Sequence, residues 1–194
     1  LRVVMDVGSL YEMESERGYS HLLEHMVFRQ SKYLGDGEAI RAWQRLGATF
    51  GSDTNAETGF TQTVYKIDLP EATPEKLDES FRLLSGMLTA PTLSAANLKA
   101  DLPIVLAEMR DNAGAQGRVT ETVLGTLYAG QPIARRQPIG TAEALNAATA
   151  DSVRAYHRRW YRPDRTVIVA VGDADPQALA ALAAKWFGPW KASG

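Results

Sequence analysis

No cysteine occurs among the 194 residues, which excludes a disulfide scaffold, thiol catalysis and any zinc site built on thiolates. No apolar run approaches the roughly 20 residues that span a bilayer, and the N-terminal residues lack a signal-peptide pattern. Neither sign of charge dominates: 21 basic side chains stand against 23 acidic ones, so electrostatics gives no footing for nucleic acid as a partner. Histidine is scarce, at three residues. Any metal must therefore rest on imidazole and carboxylate. What is present is 45% hydrophobic residues interspersed with 23% charged ones, the composition of a folded domain, and a chain of this size buries roughly 70% of the surface its unfolded form exposes. The opening Leu1-Arg2-Val3-Val4 lacks an initiator Met, and Phe187 to Gly194 reads as a helix exit running into a linker. Both ends read as cuts, so residues 1–194 are expected to form a single domain belonging to a longer chain.

Hydrophobic periodicity and turn chemistry divide the chain into elements. Leu1 to Val7 is a β-rich run closed by Gly8. Tyr19 to Phe28 and Asp36 to Leu46 carry helical spacing, the second stopping at Gly47. Strands are expected over Ala48 to Asp53 and Phe60 to Leu69, with Thr63 and Tyr65 as sheet-packing positions. Thr73-Pro74 has the N-cap and first-position chemistry of a helix start, followed by the apolar stripe Leu77, Phe81, Leu84, Leu88. Further helices are expected over 94–112, 117–128, 141–146 and 151–160, then a strand over 166–171 and an Ala-rich helix over 176–186. Strand pairs alternate with helix pairs instead of strict βαβ units. The expected class is α+β, a largely antiparallel sheet with helices packed on one face.

Chemistry concentrates in His21-Leu22-Leu23-Glu24-His25. Four helical residues turn the chain by about 400°, so His21 and His25 stand one turn apart on nearly the same face and can chelate one ion. Imidazole nitrogens so placed suit zinc, which when catalytic takes three protein ligands and a water. Glu24 sits beside the second histidine, close enough to take a proton from that water. A bare pair of histidines at this spacing is more often packed or solvated than ligating; the added Glu, at the one position the inverted zinc motif H-x-x-E-H requires, decides for chemistry. His157 has no such partner and reads as a surface helix residue.

With these residues the chain resembles the pitrilysin/insulinase metallopeptidases. Gly18 to Phe28 follows the family's glycine-led motif helix; Leu46-Gly47-Ala48, Asn55 to Thr58 and Thr63-Val64-Tyr65 follow its downstream strands; Trp160 to Arg165 and Val171-Gly172-Asp173 follow its closing turn. The resemblance implies an α/β roll like the mitochondrial processing peptidase and insulinase domains. It also implies a distant third ligand, a late helical Glu that maps onto Glu108 in Val105-Leu106-Ala107-Glu108. On composition alone Glu108 reads as a solvated helix carboxylate, and at 83 positions after His25 the spacing is several residues longer than the commoner family one. The family's second acidic residue maps onto Asp101, two helical turns earlier, with an implied role in orienting a ligand or polarising the site. Pro103 requires that the helix carrying Glu108 either start near Asp101 or kink there. Asn55 and Ala56 match the edge-strand pattern through which the family pairs with a substrate backbone; the bland reading is a turn before a strand.

The implied activity is zinc-dependent endopeptidase chemistry on extended peptides or unfolded proteins, with Zn2+ held by His21, His25 and Glu108 and a zinc-bound water activated by Glu24. Implied partners are the peptide substrate and a homologous second half, in the same chain or another subunit, without which the isolated domain would be inactive. Neither nucleic acid nor a membrane span is expected, and a periplasmic or cell-envelope location follows only by analogy with bacterial relatives. Two other functions stay open: a non-catalytic family subunit acting in binding or assembly, and hydrolysis of a small molecule by a similar motif.

Overall fold

A computed structural model describes residues 1–192, so the last two residues of the expected linker, Ser193 and Gly194, lie outside the described residues. Strand β1 is Arg2–Met5, followed by helices α1, Tyr19–Arg29, and α2, Ala39–Arg45. A hairpin of β2, Thr54–Thr58, and β3, Thr63–Ile67, leads into α3, Pro74–Thr89. Then come α4, Ala95–Asn112; α5, Ala115–Leu127; α6, Ala142–Asn146; α7, Ala150–Trp160; β4, Thr166–Val169; and α8, Pro176–Phe187. Thr73, Ser94, Thr141 and Thr149 each cap a helix by accepting an N–H three residues on, and Asp175 caps α8 by accepting from Gln177.

Among the described residues the strands form one sheet in the order β2-β3-β1-β4, with every pairing antiparallel. Alternation along the strands separates its faces. Val3, Met5, Thr63, Tyr65 and Ile67 are buried and turn toward the helices, whereas Val167 and Val169, on the other face, are exposed. The expected α+β class, with an antiparallel sheet covered on one side, is the architecture found. β2 forms one margin of the sheet, and α1 lies beside it.

Helix α1 is the centre of the core. Leu22, Leu23, Met26 and Val27 are all fully buried, and α1 rests on α4, α7 and α3. On α4 the buried residues Leu98, Asp101 and Val105 recur every three to four positions, a stripe that one more step carries to Glu108. Pro103 lies inside this helix, which runs from Ala95 through Asn112, so the helix does not begin at Asp101. The proline is on the exposed side, where a carbonyl left without its intrahelical donor can be hydrated.

Two expectations are corrected. The segment Ala48 to Asp53 is not a strand. It contains a turn in which Asp53 Oδ2 accepts the Thr49 N–H at 2.8 Å and Gly51 adopts φ 97°, so the strand β2 and its ladder to β3 begin at Thr54. Local Gly-Ser-Asp turn chemistry overrides the short run before it. His157 is not a surface residue either: it is 9% exposed, on the face of α7 shared with Val153 and Tyr156. Its Nε2 is 2.8 Å from Leu88 O, and its ring lies 5.0 Å from that of Tyr161.

The entry into α1 depends on two glycines meeting backbone to backbone. Gly18 has φ 97° and Gly140 φ 76°, and a Cβ added at Gly140 would fall 2.4 Å from both Arg17 O and Gly18 Cα. Gly140→Ala is therefore expected to destabilise the fold by about 1–3 kcal/mol. Chemical denaturation would read this as a lower midpoint at unchanged slope; a wild-type midpoint would remove glycine's role at this crossing.

Candidate metal centre

Helix α1 carries His21, Glu24 and His25, and α4 carries Glu108. The packing of the two helices brings three ligand-type atoms from sites distant in the chain into one cluster. His21 Nε2 and His25 Nε2 are 3.3 Å apart, and Glu108 Oε2 lies 3.5 Å from the first and 3.4 Å from the second. Four tetrahedral ligands at about 2.0–2.2 Å from zinc would be separated by about 3.3–3.6 Å. The triangle has the edge lengths of one face of that tetrahedron. Two imidazole nitrogens and one carboxylate oxygen are also a ligand set that zinc accepts, so the residues fit the ion.

Electrostatics favours the same use. Burial, and then the neighbouring His25, push His21 down to about 4. At neutral pH its ring is uncharged and offers a lone pair, so its contact with Glu108 is not a salt bridge. Glu24 does not join the triangle. It accepts a hydrogen bond from Thr58 Oγ1 at the end of β2. Burial, then the charges of Glu108 and Glu57, raise its carboxyl to about 7 against the opposing pull of Thr58. A carboxylate near neutrality beside a candidate ion site has the proton affinity of a general base.

The cluster opens on a cavity of about 460 Å³. His21, Glu24, His25 and Glu108 form its polar floor, Phe28, Ile40, Phe50 and Ile104 its apolar wall, and Asn55 and Asp101 also line it. Asn55 and Ala56 lie within the margin strand β2, not in a turn. The Ala56 N–H is bonded to Asn55 Oδ1 at 2.9 Å. Asp101 is 4% exposed, and its Oδ1 takes Arg29 Nε at 2.9 Å and Nη2 at 2.7 Å. Its Oδ2 has no hydrogen-bond partner among the described residues. Its bonds thus run to Arg29, at the end of α1, and not to His21, His25 or Glu108.

Two further side chains, Arg29 and Thr58, contribute to the site. Arg29 continues the four-residue spacing of His21 and His25 along one helical face, a signal that helical geometry offered. Thr58 carried no signal, because its bond to Glu24 depends on how the hairpin is placed against α1.

Comparison with known proteins shows the family to which this fold belongs. The model of the family described as insulinase (peptidase family M16) matches residues 1–137, and that of the peptidase M16 inactive domain matches residues 147–194. The chain is 30% identical over 182 residues to a probable zinc protease PqqL of Haemophilus influenzae, covering 94% of this chain and 20% of that protein. It is 29% identical over 191 residues to the beta subunit of the mitochondrial-processing peptidase of Caenorhabditis elegans, covering 97% of this chain and 40% of that subunit. The crystal structure of the periplasmic protease PqqL from Escherichia coli superposes with a TM-score of 0.94 at 27% identity, covering 100% of this chain and 21% of that one. The chain thus spans a fifth of the length of the PqqL proteins it matches.

The raised carboxyl of Glu24 has a measurable consequence. Going from 4.5 in an unfolded chain to about 7 here, the group holds its proton more tightly when folded. It therefore contributes stability below about pH 4.5 that is lost as the pH rises toward 7. In chelator-treated protein, the thermal midpoint of wild type relative to Glu24→Gln should fall across this interval and level off above it. A difference that stays constant over the interval would contradict the shift.

Proposed function

This chain belongs to the insulinase family of peptidases, and on that premise we propose that its site is the catalytic centre of a zinc-dependent endopeptidase acting on extended peptides. The observation that carries the proposal is the triangle of His21 Nε2, His25 Nε2 and Glu108 Oε2, with edges of 3.3, 3.5 and 3.4 Å. His21, His25 and Glu108 would hold the ion. When bound, zinc would supply a Lewis acid and lower the pKa of water toward neutrality.

The remaining steps belong to the chain's own side chains. Glu24 takes the proton of the attacking water and returns it to the leaving amine, a role suited to a carboxyl raised to about 7. Thr58 holds the Glu24 carboxylate by its hydroxyl and so fixes which oxygen is free to act. Asp101 and Arg29 brace α1 against α4 and keep Glu108 facing the histidines. The β2 strand, with Asn55 and Ala56, offers its backbone to an extended substrate, a mode of recognition that would be tolerant of sequence. Beside the scissile bond, the wall of Phe28, Ile40, Phe50 and Ile104 accepts a large apolar side chain.

Residues 1–194 are read as one metallopeptidase domain of a longer protein whose homologous half completes the site. By analogy with the relative described as a periplasmic protease, the protein is assigned to the periplasm or cell envelope.

Incubating the natural-length protein with an unfolded peptide library tests the activity. Wild type should cleave with large apolar residues enriched beside the cut, and Glu24→Gln should keep its zinc and lose activity about 100-fold or more. Stoichiometric zinc without cleavage would instead support a non-catalytic family subunit. Cleavage without apolar enrichment would remove the wall's role while leaving the activity intact.

A further inference from the structure

His21 occupies the third position of α1, in a turn whose backbone has little of its own to hold it. The N–H groups that open a helix lack intrahelical acceptors; here the Leu22 N–H, 2.9 Å from Gly18 O, is the first to reach one. The usual remedy is a capping side chain, but the N-cap residue is Gly18, in the left-handed region, and no side-chain cap is made. The missing acceptor comes from farther back in the chain. Glu12 Oε2 accepts the Gly18 N–H at 2.8 Å, and Glu12 Oε1 accepts the Ser20 N–H at 2.8 Å.

We infer that Glu12 is a positioning residue for the candidate metal centre, fixing the first turn of α1 so that His21 stands at ligand distance from His25 and Glu108. The inference rests on the reading of those three residues as ion-holding. The Glu12 carboxylate is 4% exposed, so removing it leaves two N–H donors without a replacement acceptor from bulk water. Its placement at a helix N-terminus matches the direction of the helix dipole. Burial nonetheless raises the carboxyl to about 7, with the Gly18 and Ser20 donors and Arg136 pulling the other way.

The loop bearing Glu12 is itself tied down. Glu16 Oε2 accepts the Met13 N–H at 3.2 Å and pairs with Arg159 of α7 at 2.5 Å. Arg136 pairs with Glu14 at 2.7 Å, and its carbonyl accepts from Ser9 Oγ at 2.5 Å. Two side chains of the first turn have other bonds, Ser20 Oγ to Tyr156 OH at 2.6 Å and Tyr19 OH to Ser152 Oγ at 2.9 Å. Neither supplies an acceptor for the backbone. Loss of Glu12 therefore loosens the turn that sets one corner of the triangle while the second turn, with His25, stays packed.

Zinc titration against a competing chelator, with zinc alone as the probe and the natural-length protein, separates this role from bulk stability. Glu12→Gln keeps the shape and one acceptor and should weaken zinc binding about 10-fold, and Glu12→Ala by up to about 100-fold. Hydrogen exchange should speed up in the first turn of α1 and not in its second. Phe187→Leu, a destabilising change in the distant α8, should leave zinc affinity as in wild type. Wild-type affinity together with unchanged first-turn protection in Glu12→Gln overturns the inference, and Gln carries the test if Ala does not fold. His21→Ala distinguishes the failures: if it also binds zinc like wild type, the metal centre itself is wrong; if it loses zinc while Glu12→Gln does not, only the role of Glu12 falls.

Discussion

Arg29 and Asp101 meet where α1 crosses α4, with two guanidinium nitrogens on one buried carboxylate oxygen at 2.9 and 2.7 Å. Everything at the site depends on that crossing. The two histidines are neighbours on one helix and would be so in any fold that kept α1 helical. Glu108 is different, because it reaches them only if a helix formed much later in the chain lies at the right height and rotation. Apolar packing supplies the attraction, through Leu22, Met26 and Val105, all fully buried, but burial is indifferent to small slips along the axes. A buried, charge-assisted pair of hydrogen bonds is not. It fixes the register of one helix on the other, seven residues before Glu108 on the same stripe.

The site combines a rigid floor with one open margin. His21 and His25 stand on the most buried helix of the molecule, Glu24 is tied to the hairpin by Thr58, and the first turn of α1 is fastened by a carboxylate six residues upstream of its glycine. Above this floor lie the apolar wall and the margin strand β2, whose backbone is paired on one side by β3. An arrangement of this kind holds the four polar side chains in place and leaves one strand edge open.

Much of this was legible in the residues. The helix that carries His21, Glu24 and His25, the cap at Thr73, the strand expected over Phe60 to Leu69 and found over Thr63–Ile67, and the antiparallel class all follow from periodicity and local chemistry, because they are decided within a few residues. Glu108 was not legible from spacing alone, since the nearer of its partners lies 83 positions earlier; a family resemblance supplied what local chemistry lacked. Tertiary context decided the failures. His157 looked polar and exposed until α7 settled with it against Leu88, where a backbone carbonyl satisfied its ring. Ala48 to Asp53 had strand-like residues but closed into a turn through the Asp53 carboxylate. Glu12 showed nothing in the sequence, because a cap delivered from six residues away has no fixed spacing.

The bond between the Asn55 amide oxygen and the Ala56 N–H bears on how the open edge of β2 behaves toward other chains. A margin strand with unsatisfied donors is a template for any extended chain, including another copy of itself in a crowded compartment. Giving one donor a local acceptor, beside the exposed charge of Glu57, makes casual strand addition less favourable, while a backbone that supplies a better acceptor can displace the amide. The same asparagine thus tempers the tendency of an open strand edge to add a second copy of the chain, and keeping the protein dispersed becomes part of the work of β2.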